Sequence, residues 1–242
     1  MDESKILLFL VEGASDEAAL APALEKTLTN NTVKFKIMRT DITSDFDSNV
    51  SNIERRIKNL AVKRFLNDNS QFTENDICAI IHIVDLDGAF APDSSVIEDS
   101  TITDAQYSDD SIICKNKDLF LQSKNNKKQN LLHLCSLQKI SIPKGVIVPY
   151  SIYYMSCNLD HVLHNKRNST VSEKIANSIA FSDEYDDPYK FEMFFSRDDI
   201  KICGTYEDTW TYIQNGFQSL HKGSNFWLCI DKYKSTCETA SE

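Results

Sequence analysis

Two short acidic runs in this chain have the composition and spacing of a metal-assisted phosphoryl-transfer site. One is Glu12-Gly13-Ala14-Ser15-Asp16 and the other is Asp85-Leu86-Asp87. Asp85 and Asp87 lie two apart, so on extended backbone both side chains project from one face. Carboxylates gathered this closely raise one another's pKa values unless a cation sits among them. Oxygen ligands with no Cys or His at hand favour Mg2+ or Mn2+ over zinc. One or two such ions could clamp a phosphodiester and activate a water. Acids are also ordinary in the first turn of a helix, so each run alone says little. The weight comes from finding two, each directly after an uninterrupted apolar stretch.

Those stretches, residues 5–11 and 77–84, read as central strands covered on both faces, as in a parallel sheet. In open α/β sheets ligands collect beyond the carboxyl ends of such strands, where both acidic runs fall. Between them the pattern predicts a helix over 16–29 with Ser15 as its cap, an outer strand over 33–38, and an amphipathic helix over 48–66. Residues 89–128 read as an irregular excursion, acidic and serine-rich at first and then basic. After it come a short helix over 129–137, a fourth strand over 145–150, and a helix over 156–163 capped by Ser156. Beyond residue 167, helices are expected over 171–179 and 206–220, while 226–230 fits either a strand or the core face of a helix. The alternation predicts an α/β fold with a parallel sheet of about four strands and helices on both faces. It divides the chain into a catalytic unit, 1–166, and a mainly helical extension, 167–242, packed on the same domain.

The order E-G-x-x-D after the first strand and D-x-D after a later one resembles the Toprim pattern of topoisomerases, bacterial primases, 5S rRNA maturases and overcoming-lysogenization-defect nucleases. The resemblance covers roughly residues 5–165. It implies a Toprim-like, Rossmann-like sheet, with Glu12 as general acid/base and metal ligand, Asp85 and Asp87 as Mg2+ ligands, and Asp16 in support. Stand-alone Toprim-like proteins of phage defence often place an acid, usually Glu, in the helix after the fourth strand. Here that acid is Asp160, one methylene shorter, as a further metal ligand. The chain has no G-x-x-x-x-G-K-[ST] phosphate loop, and it is too short for a topoisomerase. What the resemblance implies is therefore a stand-alone, cytoplasmic Mg2+- or Mn2+-dependent nuclease on DNA or RNA. Its expected setting is bacterial anti-phage defence or abortive infection, beside a separate ABC- or SMC-type ATPase or a second copy of the chain. The competing expectation is a Toprim-fold binding or regulatory subunit without turnover.

The charge balance fits a metal-mediated encounter better than a basic coat. The 242 residues carry 26 basic and 36 acidic side chains, a net −10, so phosphate would have to be met through divalent ions or local basic segments. Candidate phosphate contacts are Lys124, Lys127 and Lys128, with Arg197 and Lys222 as a second set. His161 and His164, three apart on an expected helix, could suggest a metal pair but lack a third ligand. Cys157 reads as a small packed thiol. Seven cysteines without a C-x-x-C pair argue against a disulfide framework or a four-cysteine zinc site. The aromatic residues Trp210, Tyr212, Phe217, Phe226 and Trp227 are expected to pack the tail. No apolar run reaches membrane-spanning length.

Overall fold

Residues 6–11 are apolar at every position, and only a strand sandwiched between two layers can bury both of its faces. In the computed structural model, which describes residues 5–29, 32–37 and 41–238, that segment is β1 (Ile6–Val11). It is followed by α1 (Ala14–Thr27) and β2 (Thr32–Ile37). A helical run then comprises α2 (Ile53–Arg56), a π-helical turn (Ile57–Val62) and α3 (Lys63–Asp68), and leads into β3 (Ile77–Asp85). Three short strands follow, β4 (Val96–Glu98), β5 (Gln106–Tyr107) and β6 (Ile112–Cys114). The chain continues through α4 (Lys117–Ser136), β7 (Lys139–Ser141), β8 (Ile147–Met155) and α5 (Leu159–His164). Its last described part holds α6 (Val171–Glu184), α7 (Pro188–Phe195), α8 (Tyr206–Tyr212) and α9 (Trp227–Glu238).

The main sheet has the order β2-β1-β3-β8-β7. β2, β1, β3 and β8 are mutually parallel, and β7 joins the edge antiparallel. Alternate residues feed two cores. Leu8, Leu10, Val84, Ile152 and Tyr154 pack with Ile57, Phe65, Leu131 and Trp210 on one face. Leu7, Phe9, Val11, Ile81 and Met155 pack with Leu24, Val162, Phe181, Phe195 and Ile230 on the other. The residues beyond 167 thus cover both faces. They also close an edge. β7 pairs only with the start of β8, Ile147 to Pro149. Farther along β8, side chains replace a strand. The Tyr206 hydroxyl donates to Ile152 O at 2.9 Å and accepts from Ile152 N at 3.4 Å, Asn225 Oδ1 accepts from Tyr154 N at 2.9 Å, and Ser224 Oγ donates to Tyr154 O at 2.8 Å.

Several expected elements shift. The region read as an irregular excursion holds a three-stranded sheet, β4-β6-β5, and the 20-residue helix α4. α4 escaped the apolar pattern because its buried side includes Lys124, Lys127 and Asn130 beside Leu131 and Leu134. The fourth long strand runs on to Met155, through aromatic residues that are fully buried. Ser15 and Ser156 are not the caps: α1 begins at Ala14 after Gly13, and Asn158 Oδ1 accepts from His161 N to cap α5. The helix expected from residue 48 starts at Ile53. The one expected to reach 220 stops at Tyr212, ahead of a turn in which Gly216 has φ 55°. α7 was not expected; Asp187 caps it and Pro188 opens it. Of the two alternatives for 226–230, the helix is found. Met38, expected to end β2, lies outside the described residues. Among the described residues no helix is long and apolar enough to cross a membrane.

Candidate metal centre

The acids gather where the parallel strands end. Glu12 follows β1, Asp85 closes β3, and Asp41 lies four residues past the end of β2. Asp85 N donates to Glu12 Oε1 at 3.4 Å, which ties the two strand ends together. After Asp85 the chain does not stay extended. Leu86 N and Asp87 N donate to Met155 O and Cys157 O, at 3.1 and 2.8 Å. Asp87 and Gly88 then take left-handed conformations, φ 46° and 65°. Aspartate tolerates this region better than most residues with a side chain. At Gly88 a Cβ would also stand 2.7 Å from both Ile112 Cδ1 and Leu220 Cδ2, so any side chain there would strain the backbone and push both aside.

The left-handed turn separates the two aspartates expected to act as a pair. Asp87 Oδ2 reaches Lys127 Nζ at 2.6 Å. Asp85 Oδ1 instead accepts from Leu159 N at the start of α5, at 2.9 Å. The carboxylates therefore form two groups. In the first, one oxygen each from Glu12, Asp41 and Asp87 lie within 4.8 Å of one another, and this triad could hold a metal ion. Their side chains are 20%, 20% and 31% exposed. Lys127, 2% exposed, sits among them, 2.7 Å from Asp41 Oδ2 and 4.0 Å from Glu12 Oε1. Asp41 is held further by Thr43 N at 2.9 Å, by the Thr43 hydroxyl and by Ser44 N at 3.3 Å. In the second group, Asp16, Asp85 and Asp160 line a water-sized cavity of about 10 Å³ with Ser15, His164 and Lys174. Asp16 Oδ2 accepts from Gly13 N and Asp160 Oδ1 from Asn177 Nδ2, each at 2.9 Å.

Protonation follows from this crowding. Burial pushes the Glu12 carboxyl well above its ordinary range, and the Asp41 charge adds to the shift against the opposing pull of Lys127. Burial also raises Asp85 strongly, helped by Asp16 and Asp87, and raises Asp16 despite its bond from Gly13. Burial would raise Asp41 too, but Lys127 and the turn hydrogen bonds hold it at about 2. The Lys127 ammonium loses hydration, yet Asp41, Asp87 and Glu12 outweigh that and keep it charged. Lys174 is raised in the same way by Asp85 and Asp160.

The other candidates land elsewhere. Lys124, Lys127 and Lys128 are on the helix α4. Lys127 is a counterion to the acids, and Lys124, 5% exposed, donates to Asp93 at 2.7 Å. Lys128 is half-buried. Arg197 and Lys222 converge on Asp199, the carboxylate within their reach, and join neither group of acids. His161 is buried, pushed down to about 4 by desolvation, and its Nδ1 has no partner among the described residues. His164 lines the small cavity. No metal pair forms from the two: among the described residues only Glu12, Asp41 and Asp87 bring three candidate ligands this close. Cys157 is buried and its thiol is pushed up by desolvation, which suits packing and not nucleophilic attack. The Trp210 and Phe226 side chains are core and Phe217 and Trp227 are half-buried, but Tyr212, expected to pack with them, is exposed.

Asp41 is the residue the sequence reading missed. The signal was present, because an acid just past a strand parallel to β1 falls at the same edge as Glu12. Comparison with protein-family models, curated proteins and solved structures finds no match.

Proposed function

We propose that the chain is a metal-dependent nuclease that hydrolyses phosphodiester bonds in DNA or RNA. The observation that carries this reading is the meeting of Glu12, Asp41 and Asp87, from beyond the ends of three adjacent parallel strands, within 4.8 Å. An all-carboxylate set suits a hard cation, Mg2+ or Mn2+. A bound ion of this kind polarises a phosphoryl oxygen and lowers the pKa of water. Glu12, whose carboxyl is already displaced towards protonation, is the group suited to exchange a proton with the attacking water. Asp85 fixes the start of α5 against β3, and Asp16 and Asp160, expected as metal ligands, are each tied to a protein donor outside the triad. The Toprim-like motif order is the support for nucleic acid as substrate, and for a cytoplasmic role in anti-phage defence with an ATPase partner.

The test is to incubate plasmid, single-stranded DNA and tRNA with Mg2+ or Mn2+, comparing the wild type with Asp41→Asn and Asp87→Asn. Cleavage that both variants retain would falsify the assignment. One observation favours a second reading. Lys127 Nζ already sits 2.6–2.7 Å from two of the three acids, as a fixed internal cation would. In that reading the chain is a non-catalytic binding or regulatory subunit in which lysine replaces the metal. Calorimetric titration with Mn2+ separates the two: the second reading expects no heat from the wild type and binding only in Lys127→Met.

A further inference from the structure

Beside Asp87 and Lys127 opens a second cavity, of about 120 Å³, that the chemistry above does not use. It is well below the roughly 300 Å³ at which pockets for whole small molecules begin, so it suits a single compact group. Its wall includes Ser44, Tyr107, Ser123 and Lys124. Ser123 Oγ donates to Ser44 O at 3.1 Å and Ser44 Oγ to Asp41 O at 3.4 Å, so both serines brace the loop that carries Asp41. The Tyr107 hydroxyl has no hydrogen bond among the described residues, although its backbone is firmly placed. Asn168 accepts from Tyr107 N at 2.8 Å and donates to Tyr107 O at 3.0 Å, as a neighbouring strand would. Lys124 commits one of its three N–H donors to Asp93, whose side chain is 58% exposed. The buried ammonium is thus paired with a carboxylate that can turn to solvent.

We propose that this cavity is a phosphate subsite, taking the phosphoryl group that adjoins the one at Glu12, Asp41 and Asp87. The proposal deepens the nuclease reading and rests on it for the nature of the substrate. Tyr107 O–H and Lys124 N–H are the donors to the anion, while Lys127, bound to Asp41 and Asp87, offsets the negative charge of Asp87 in the same wall. An anion entering the cavity competes with Asp93 for Lys124, so Asp93 acts as a placeholder for it.

The experiment is a titration of inorganic phosphate into the Mg2+-containing full-length protein, followed by phosphorus NMR line broadening. It compares the wild type with Lys124→Gln, Tyr107→Phe and Asp93→Asn. Lys124→Gln should weaken phosphate roughly tenfold and Tyr107→Phe about threefold, as expected for loss of a charged and a neutral donor. Asp93→Asn should tighten it by a few-fold. Opposite signs at Lys124 and Asp93 mark competition for an anion, because a purely structural ion pair would suffer in the same direction from either change. Shifts in the same direction, or no phosphate binding in the wild type, overturn the subsite. If the pattern holds and no nucleic acid is cut, the subsite stands and the nuclease reading fails. If nucleic acid is cut and its KM ignores Lys124→Gln and Tyr107→Phe, the subsite fails and the nuclease reading stands.

Discussion

The two carboxylate groups contain the same number of acids and one lysine each, yet they are built for different ends. Asp16, Asp85 and Asp160 each spend an oxygen on a protein donor, respectively Gly13 N, Leu159 N and Asn177 Nδ2. Their shared space holds little more than a water. Around Lys127, Asp87 has the lysine as its partner, Asp41 shares it with Thr43 and Ser44, and Glu12 accepts from Asp85 N and lies 4.0 Å from the lysine, which is a single removable charge. Acid count alone therefore does not mark a metal position; what marks it is how closely one oxygen from each acid converges.

The sharpest way to break this comparison is to remove each lysine in turn. Lys127→Met leaves three adjoining acids without their buried counterion, a change that costs about 3–5 kcal/mol. Urea unfolding should show this, and Mn2+ should restore a good part of it if the triad takes the ion. Stability of Lys127→Met in Mn2+ no higher than in metal-free buffer would sink the idea.

Beside the triad, His82 responds to pH before Asp41 does. His82, buried and bonded through Nδ1 to the Tyr150 hydroxyl at 2.9 Å, is pushed down to about 4 by desolvation. The unfolded chain takes up this proton near 6.5 and the folded protein only near 4. The stabilisation is therefore complete above pH 6.5 and lost as pH falls towards 4, on the order of 3 kcal/mol in all. Asp41 stays ionised throughout that window because it is held at about 2. Thermal melts across pH 7 to 4 should slope less in His82→Gln, and an unchanged slope would reassign the effect.

Cleavage rates sharpen the contrast between the groups. Asp41→Asn or Asp87→Asn should lower them by about a hundredfold or more, and Asp160→Asn by less than about tenfold. Comparable losses at all three would mean that the small cavity also holds a metal. The smallest effect expected is on stability at Lys174. This lysine is half-buried beside acids already satisfied by other donors, so Lys174→Met should cost no more than about 1 kcal/mol in the same urea series.

Much of this arrangement was legible in the sequence where side chains obey the solvent rule. β1 and β3 could be read because their runs are apolar but for His82 in β3, and Glu12 and Asp85 because they end those runs. α4 was hidden because it buries Lys124, Lys127 and Asn130, which pattern reading assigns to water. Lys127 looked like a phosphate contact for the same reason. Asp41 was hidden by its neighbours, since an acid bonding Thr43 and Ser44 reads as an ordinary turn. The Asp87-Gly88 dipeptide is a turn signal that the extended reading of Asp85 and Asp87 passed over, and its left-handed backbone parts the two.

The side chains of Tyr206, Ser224 and Asn225 that stand in for a strand along β8 set a limit on how the chain can be cut. A fragment ending near residue 166 would keep every acid of both groups, but it would bare the backbone of a long, aromatic-rich β8. Such an edge is a template for cross-strand self-association. The fragment should therefore precipitate or form fibrils, and the later helices act as an intramolecular guard against aggregation.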